Sequence, residues 1–226
     1  MGPLLDQVAI AIRHAHLYSE MEDAKVEVEE KSRQLESFNT IGRAVLGAKG
    51  LDTIIDTLMM QVGETGLFRS LAFSSVDASL RKFELKRTMK REPGGAYRMA
   101  DAPRGTLEVP TTGTDIIAVV AREGRRTIIQ GWDNRFQIGE AGSPLLDPAT
   151  YVDKVTYFVP LVSDDQTIAI LATASTIGER PEIERRLDAM APLLDQVAVA
   201  IGHAQMVAML SHEPERLDDQ VTAHAA

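Results

Sequence analysis

The sequence predicts an α+β domain preceded by a long N-terminal helix, and three observations lead to that prediction. Six short segments, rich in β-branched and aromatic residues and bounded by turn residues, have the pattern of mainly antiparallel strands. Segments with helical apolar spacing lie before, between and after them. A thirteen-residue phrase occurs twice, at residues 3–15 and 192–204, with eleven identical positions. Because the phrase consists largely of Leu, Val, Ala and Ile, it predicts helix packing and no chemistry.

The composition excludes several classes of function. The chain has 226 residues, a net charge of -9 and no cysteine. The acidic balance argues against a general nucleic-acid-binding surface. The missing cysteine excludes disulfides, zinc-thiolate sites, a cysteine nucleophile and a thioether-linked chromophore. The first residues lack a signal-peptide pattern, and no apolar run approaches about 18 residues. We therefore expect a cytoplasmic protein, or a soluble piece of a membrane-bound one, without a nucleic-acid or membrane partner.

The first helix is predicted over residues 3–46, where apolar side chains recur alternately four and three positions apart. This heptad spacing predicts a weak coiled coil that extends roughly 65 Å. Such a helix needs a partner, most simply the same helix of a second subunit in a parallel homodimer. We call the predicted contact positions the seam; they are Ile10, His14, Leu17, Met21, Val28, Leu35 and Phe38, continued in the last helix by Val199, His203, Met206 and Leu210.

The remaining elements are predicted from helix-breaking residues and from the alternation of polar and apolar residues in strands. Residues 47–50 (GAKG) end the first helix, and Asp52 is the predicted N-cap of a second. Residues 111–114 are predicted to cap a third helix, which Gly124 ends. Helices are expected at 53–65, 115–123 and 182–210, strands at 67–76, 83–89, 106–109, 127–130, 155–162 and 167–175, a mobile loop at 91–104, a lid at 131–151, and a frayed tail after Pro214.

Taken in order, four stretches resemble a GAF domain, the small-molecule sensor module of bacterial signalling proteins and phosphodiesterases. Residues 35–58 resemble its entry helices, and residues 133–136 resemble its D-x-R-F motif. The segments YFVPLV and TIAILATAS resemble its closing hairpin. Residues 194–204, and equally 5–15, resemble its exit helix, L-x-x-x-A-x-A-I-x-x-A.

The resemblance implies a GAF/PAS-like sheet with the terminal helices on one face. It also implies three segments: residues 1–34 as a linker helix that closes a preceding domain of a tandem array, 35–205 as the GAF domain, and 206–226 as a helix extension with a flexible tail. The alternative explanation of the repeat is that both terminal helices share a composition suited to bundles.

The resemblance also implies a ligand on the sheet face opposite those helices, under residues 112–120 and 131–151. There Trp132 and Phe136 are expected to stack on a planar ligand, and Asp133 and Asn134 to read its polar edges. Thr112, Thr114 and the amides that begin the helix at Asp115 are expected to hold an anionic group. The expected floor is Phe73, Ser75, Tyr157 and Thr173. Arg135 is expected to tie the loop down. In the alternative, Trp132 and Phe136 plug the pocket and Asp133 caps a turn.

The sequence does not identify the ligand. The N-K-x(n)-F-x3-D-E signature of cyclic-nucleotide-binding GAF domains is missing, so a cyclic nucleotide loses weight but stays a candidate. The lack of cysteine excludes a bilin and a GAF-type methionine sulfoxide reductase. Haem is disfavoured, because every histidine lies in a terminal helix or the tail.

The predicted function is a non-catalytic regulatory sensor that relays binding through dimeric helices to an attached output domain. The chain would then be part of a larger signalling enzyme such as a histidine kinase, cyclase or phosphodiesterase. The alternative is a dimerisation and spacer domain without a ligand. His14 and His203 occupy equivalent seam positions, as proton-sensitive groups or as tolerated polar residues.

Overall fold

The structure is a computed structural model that describes residues 2–66, 68–77, 82–101, 109–110, 113–136 and 148–224. The chain forms two compact units, residues 1–40 and 41–226. Within the described residues, no helix is long and apolar enough to cross a membrane.

The first unit is helical throughout its described length, as part of helix α1, Gly2–Gly47. Of its seam residues, His14, Leu17, Met21 and Val28 are exposed. Phe38 is buried in the single chain, which corrects its expected role as a free dimer contact. The side chains of Ile10 and Leu35 lie outside the described residues. The coiled coil itself stays a prediction.

The second unit begins with the end of α1, where Ile41 and Val45 are buried. Helix α2, Leu51–Glu64, is capped by Gly50 at a φ of 88°, so the prediction of Asp52 as N-cap is wrong. Strands β1, Ser70–Asp77, and β2, Lys82–Arg91, form the predicted hairpin. The segment predicted as a mobile loop contains strand β3, Tyr97–Asp101, which pairs with β2.

The chain continues through β4, Val109–Pro110, helix α3, Ile116–Glu123, and β5, Thr127–Gln130. The predicted strand residues 106–108 lie outside the described residues. Asp115, and not the preceding TTGT segment, is the N-cap of α3, and Gly124 ends the helix in the left-handed conformation as predicted. The expected lid contains 3-10 helices at Asn134–Phe136 and Pro148–Tyr151, and its residues 137–147 lie outside the described part.

Strands β6, Lys154–Ser163, and β7, Gln166–Thr176, form the closing hairpin. Helix α4, Arg180–His224, follows a 3-10 turn and continues through Pro214, whereas the sequence predicts a frayed tail there. A proline removes one helical hydrogen bond but does not by itself end a helix. One of the two differences between the copies of the repeated phrase is Arg13 against Gly202. A Cβ on Gly202 would lie 3.2 Å from Ser163 Oγ, so α4 approaches the sheet closely at this position.

The described strands form one antiparallel sheet in the order β3-β2-β1-β7-β6-β5, with β4 paired to β2. The expected six strands are thus present with β3 in addition. Helices α2 and α4 pack on one face, which we call the helix side. Helix α3 packs on the other face, which we call the α3 side. This arrangement confirms the predicted α+β class.

Candidate ligand site

Strand register decides which side chains belong to each face of the sheet. Tyr157 pairs with Thr173, which in turn pairs with Leu71, and Phe73 and Ser75 follow Leu71 at alternate positions of β1. These side chains form one row across the sheet, which continues in β2 with Met89 and Arg87. Arg87 Nε donates to Asp56 Oδ1 of α2 at 2.7 Å. The row therefore faces the helix side.

This placement corrects the expected floor of the site. Phe73, Ser75, Tyr157 and Thr173 are buried on the helix side, away from Phe136. Two of their hydroxyls have partners there: the Tyr157 hydroxyl lies 3.2 Å from Ser175 Oγ, and Thr173 Oγ1 donates to the Ser70 carbonyl. The α3 side instead presents the intervening residues, among them Phe158, Ile129, Ile170 and Ala172.

An aromatic cluster covers the α3 side of the sheet. Phe136 is only 2% exposed, and its ring centroid lies 5.2 Å from Tyr151 and 6.1 Å from Phe158. Trp132 packs edge-on against Phe136 at 5.5 Å and against Tyr151 at 5.7 Å. Rings in direct contact leave no room for a ligand between them, so Trp132 and Phe136 do not form the expected sandwich. Trp132 and Tyr151 are half-buried, so part of each side chain remains accessible to a ligand.

The turn before Phe136 is held by its own side chains. The Asp133 carboxylate accepts bonds from the Arg135 amide and from Arg135 Nε and Nη2, at 2.8–3.0 Å. The hydrogen bonds from Arg135 hold the pKa of Asp133 below its usual value. Trp132 Nε1 donates to Asn134 Oδ1 at 3.3 Å. Arg135 thus ties down the turn as predicted, and the Asp133 and Asn134 oxygens are engaged locally.

The start of α3 carries a buried carboxylate. Asp115 is 6% exposed, and its Oδ1 accepts the Ala118 amide at 2.9 Å. Burial raises the pKa of Asp115, although the hydrogen bond from the Ala118 amide opposes the rise. A carboxylate therefore already occupies the amides expected to hold an anionic ligand group. Thr114 is exposed, and Thr112 lies outside the described residues.

Three buried side-chain oxygens have no hydrogen-bond partner among the described residues: Asp115 Oδ2, Thr156 Oγ1 and Thr167 Oγ1. Asp115 begins α3, and Thr156 pairs with Ile129 of the α3-side cluster. Thr167 Oγ1 lies 3.7 Å from where a Cβ of Gly124, at the end of α3, would stand. All three therefore lie on the α3 side. Unpaired buried oxygens are uncommon in folded proteins and mark places where water or a ligand supplies the partner.

Four residues of the α3 side are not among the residues predicted from the sequence: Tyr151, Thr156, Phe158 and Thr167. Tyr151 lies in the segment predicted as an irregular lid, and its aromatic ring is the feature that could have identified it. The other three lie on strands whose two faces are both buried, so alternation of polar and apolar residues does not identify them.

The raised pKa of Asp115 gives a stability prediction. Because the folded state favours protonated Asp115, this residue stabilises the fold fully below the usual pKa of 3.8. That stabilisation is lost as the pH rises through the higher pKa of the folded state. Asparagine is an equally good N-cap but carries no charge. We expect Asp115→Asn to have a higher free energy of unfolding than the wild type at about pH 7, because it removes the cost of burying the charge. The gain should shrink as the pH approaches 3.8. Urea denaturation at both pH values measures this, and a variant less stable at neutral pH would contradict it.

No protein-family model and no curated protein sequence matches the chain. Solved structures do match. The GAF domain of the Acinetobacter phosphoenolpyruvate-protein phosphotransferase aligns with a TM-score of 0.55 and 13% identity, over 77% of this chain and 96% of that one. The corresponding domain from Coxiella burnetii gives 0.54 and 13%, over 79% and 98%.

A third similar structure is the free methionine-R-sulfoxide reductase from Neisseria meningitidis in complex with its substrate. It aligns with a TM-score of 0.51 and 16% identity, over 77% of this chain and 93% of that one. At such identities the likeness concerns the fold, and these alignments span nearly the whole of each matched domain. The chain therefore has the fold of a GAF domain.

Proposed function

We propose that the chain is a non-catalytic regulatory sensor domain that binds a small molecule on the α3 side of its sheet. The observation that carries this proposal is the one-sided distribution of unsatisfied polar atoms. The buried oxygens of Asp115, Thr156 and Thr167 that lack partners among the described residues all lie on the α3 side. Leaving such a group unpaired costs about 1–3 kcal/mol, a cost that a bound ligand would remove.

The sheet provides the path from a ligand to the helices. Strands β6 and β7 contact α3 on one face and α4 on the other. The neighbouring residues Tyr157 and Phe158 contribute to opposite faces of β6. Because packed layers shift as units and do not deform continuously, a ligand that moves α3 would displace α4 through the same two strands.

In this proposal the domain passes on its signal by moving helices, and its partners are a second copy of the chain and the adjacent domains. The exposed seam residues of α4, Val199, His203 and Met206, would meet those of a second copy in a parallel homodimer; the side chain of the fourth, Leu210, lies outside the described residues. The helix ends would connect to adjacent domains of a longer cytoplasmic signalling chain. The repeated phrase supports a tandem arrangement, because the helical sequence that follows the sheet at residues 192–204 also occurs before it at residues 3–15.

The ligand claim predicts a thermal shift that depends on the α3 side alone. The purified chain is screened against a library of nucleotides, amino acids and other metabolites. We expect at least one compound to raise the melting temperature of the wild type and to lose most of its effect in Trp132→Ala, because Trp132 offers half-buried aromatic surface there.

Tyr157→Phe is the matched control. It removes a buried hydroxyl on the helix side and should lower the free energy of unfolding by about 1 kcal/mol without altering the ligand-induced shift. If no compound stabilises the wild type, the ligand claim fails.

A spacer domain without a ligand is the second candidate, and the burial of Phe136 favours it. The ring occupies the centre of the α3-side cluster, as the plug interpretation of the sequence requires. Absence of thermal shifts, together with a stable dimer, would support the spacer.

A further inference from the structure

We propose that the ligand of the α3 side carries a cationic or N–H-donating group that pairs with Oδ2 of Asp115. This inference rests on the function proposed above and specifies the chemical class of the ligand. It also reverses the expectation of an anionic group at the start of α3.

The two oxygens of Asp115 have different roles. Oδ1 caps α3 through the Ala118 amide at 2.9 Å, which accounts for the presence of a polar residue here. A serine or an asparagine would cap the helix equally well. Oδ2 is buried and has no partner among the described residues. Helix capping therefore accounts for Oδ1. It does not account for Oδ2 or for the negative charge of the carboxylate.

The sign of the charge decides the class of ligand. The Asp115 carboxylate itself occupies the helix amides, so a second anion would face a buried negative group and find its donors engaged. The charge of Arg122 lowers the pKa of Asp115 slightly, but Arg122 Nη1 donates to the Gly113 carbonyl at 2.7 Å and gives Oδ2 no hydrogen bond. A ligand amine, amidine or ring N–H would supply the donor that Oδ2 lacks. A charge-assisted bond of this kind is about twice as strong as a neutral one.

The surroundings add a preference for a flat apolar body. Ile116, the residue after Asp115, belongs to the same cluster as Phe136, Phe158 and the half-buried Trp132. The Thr156 hydroxyl, also unpartnered among the described residues, can donate or accept on this side. A planar ring bearing an amino or amidino group matches both the apolar and the polar features.

The experiment uses three probes of nearly equal shape and different charge: benzamidine, benzamide and benzoate. Each is titrated into the full chain at neutral pH and followed by ligand-observed NMR. We expect benzamidine to bind and benzoate not to bind, with benzamide weaker than benzamidine. Asp115→Asn, which keeps the cap, should weaken benzamidine at least about tenfold.

Asp153→Asn is the control for general attraction to an acidic chain, because Asp153 is exposed. It should leave the affinity for benzamidine unchanged. Preferential binding of benzoate, failure of benzamidine to bind, or equal binding of benzamidine to wild type and Asp115→Asn would overturn the inference. Any of these results leaves the proposed function standing if a compound in the metabolite screen still depends on Trp132. A screen without any binder is the separate result that overturns the proposed function.

Discussion

Replacing Phe136 with alanine is expected to lower the free energy of unfolding by about 3–5 kcal/mol. The Phe136 ring is almost fully buried and contacts three other aromatic rings, so its removal leaves a cavity that the cluster cannot close. Aromatic pairs add to the loss beyond the buried area. Urea denaturation measures the change.

Two further variants test this explanation. Phe136→Leu keeps most of the apolar volume and should lose clearly less stability than Phe136→Ala. Trp132→Ala removes a larger ring but one that is only half-buried, and it should also cost less. A loss below about 1 kcal/mol in Phe136→Ala would mean that the ring does not belong to the core.

The second large effect concerns association. Val28 and Val26 lie on the same helix and are 65% and 54% exposed, but only Val28 occupies the seam. We expect Val28→Glu, combined with Leu17→Glu, to convert a dimer into a monomer, because like charges would face each other across the seam. Val26→Glu should leave the dimer intact. Light scattering reports the mass directly.

The last helix offers the same comparison. Val199 lies on the seam and is 50% exposed, whereas Val207 lies off it and is 66% exposed. Val199→Glu should weaken the dimer and Val207→Glu should not. Equal masses for the wild type, the Leu17→Glu/Val28→Glu double variant, Val199→Glu and the two controls would contradict the seam. A monomeric wild type would contradict the dimer itself.

Several elements could be predicted from sequence because local chemistry decides them. Strand β5 has its predicted bounds, since a short β-branched run lies between Arg126 and Gly131. The end of α3 follows from Gly124, whose φ of 60° suits glycine. Strand β3 is hard to predict because the Gly and Pro residues of its turn indicate a longer loop, although Tyr97 and Met99 alternate with Arg98 and Ala100.

The face of each strand could not be predicted in the same way. Val155, Thr156, Tyr157 and Phe158 are all buried, so β6 shows no contrast between a polar and an apolar face. A shift of one residue then exchanges every side chain between the two layers. Polar residue type does not identify the face either, because both faces are buried. Thr173 and Tyr157 are suited to a ligand by type, but they bond to the protein on the helix side.

The repeated phrase gains a physical interpretation from α4. Its buried residues Val197, Ala198 and Ile201 face inward, while Val199 and His203 are exposed. One helix thus serves both the domain core and the proposed dimer. Gly202 fits the close approach to Ser163, and its counterpart Arg13 is exposed. The two copies therefore share the predicted seam positions but differ at the position where α4 meets the sheet.

Amide hydrogen exchange of α4 tests the central claim most directly. The measurement compares the chain alone with the chain bound to the compound that gives the largest thermal shift. The sensor account predicts slower exchange in α3 and β6, together with a change in α4 around residues 193–206, although α4 lies on the opposite face of the sheet. Protection confined to the α3 side, with exchange in α4 unaltered, would contradict a relay from the ligand to the helices.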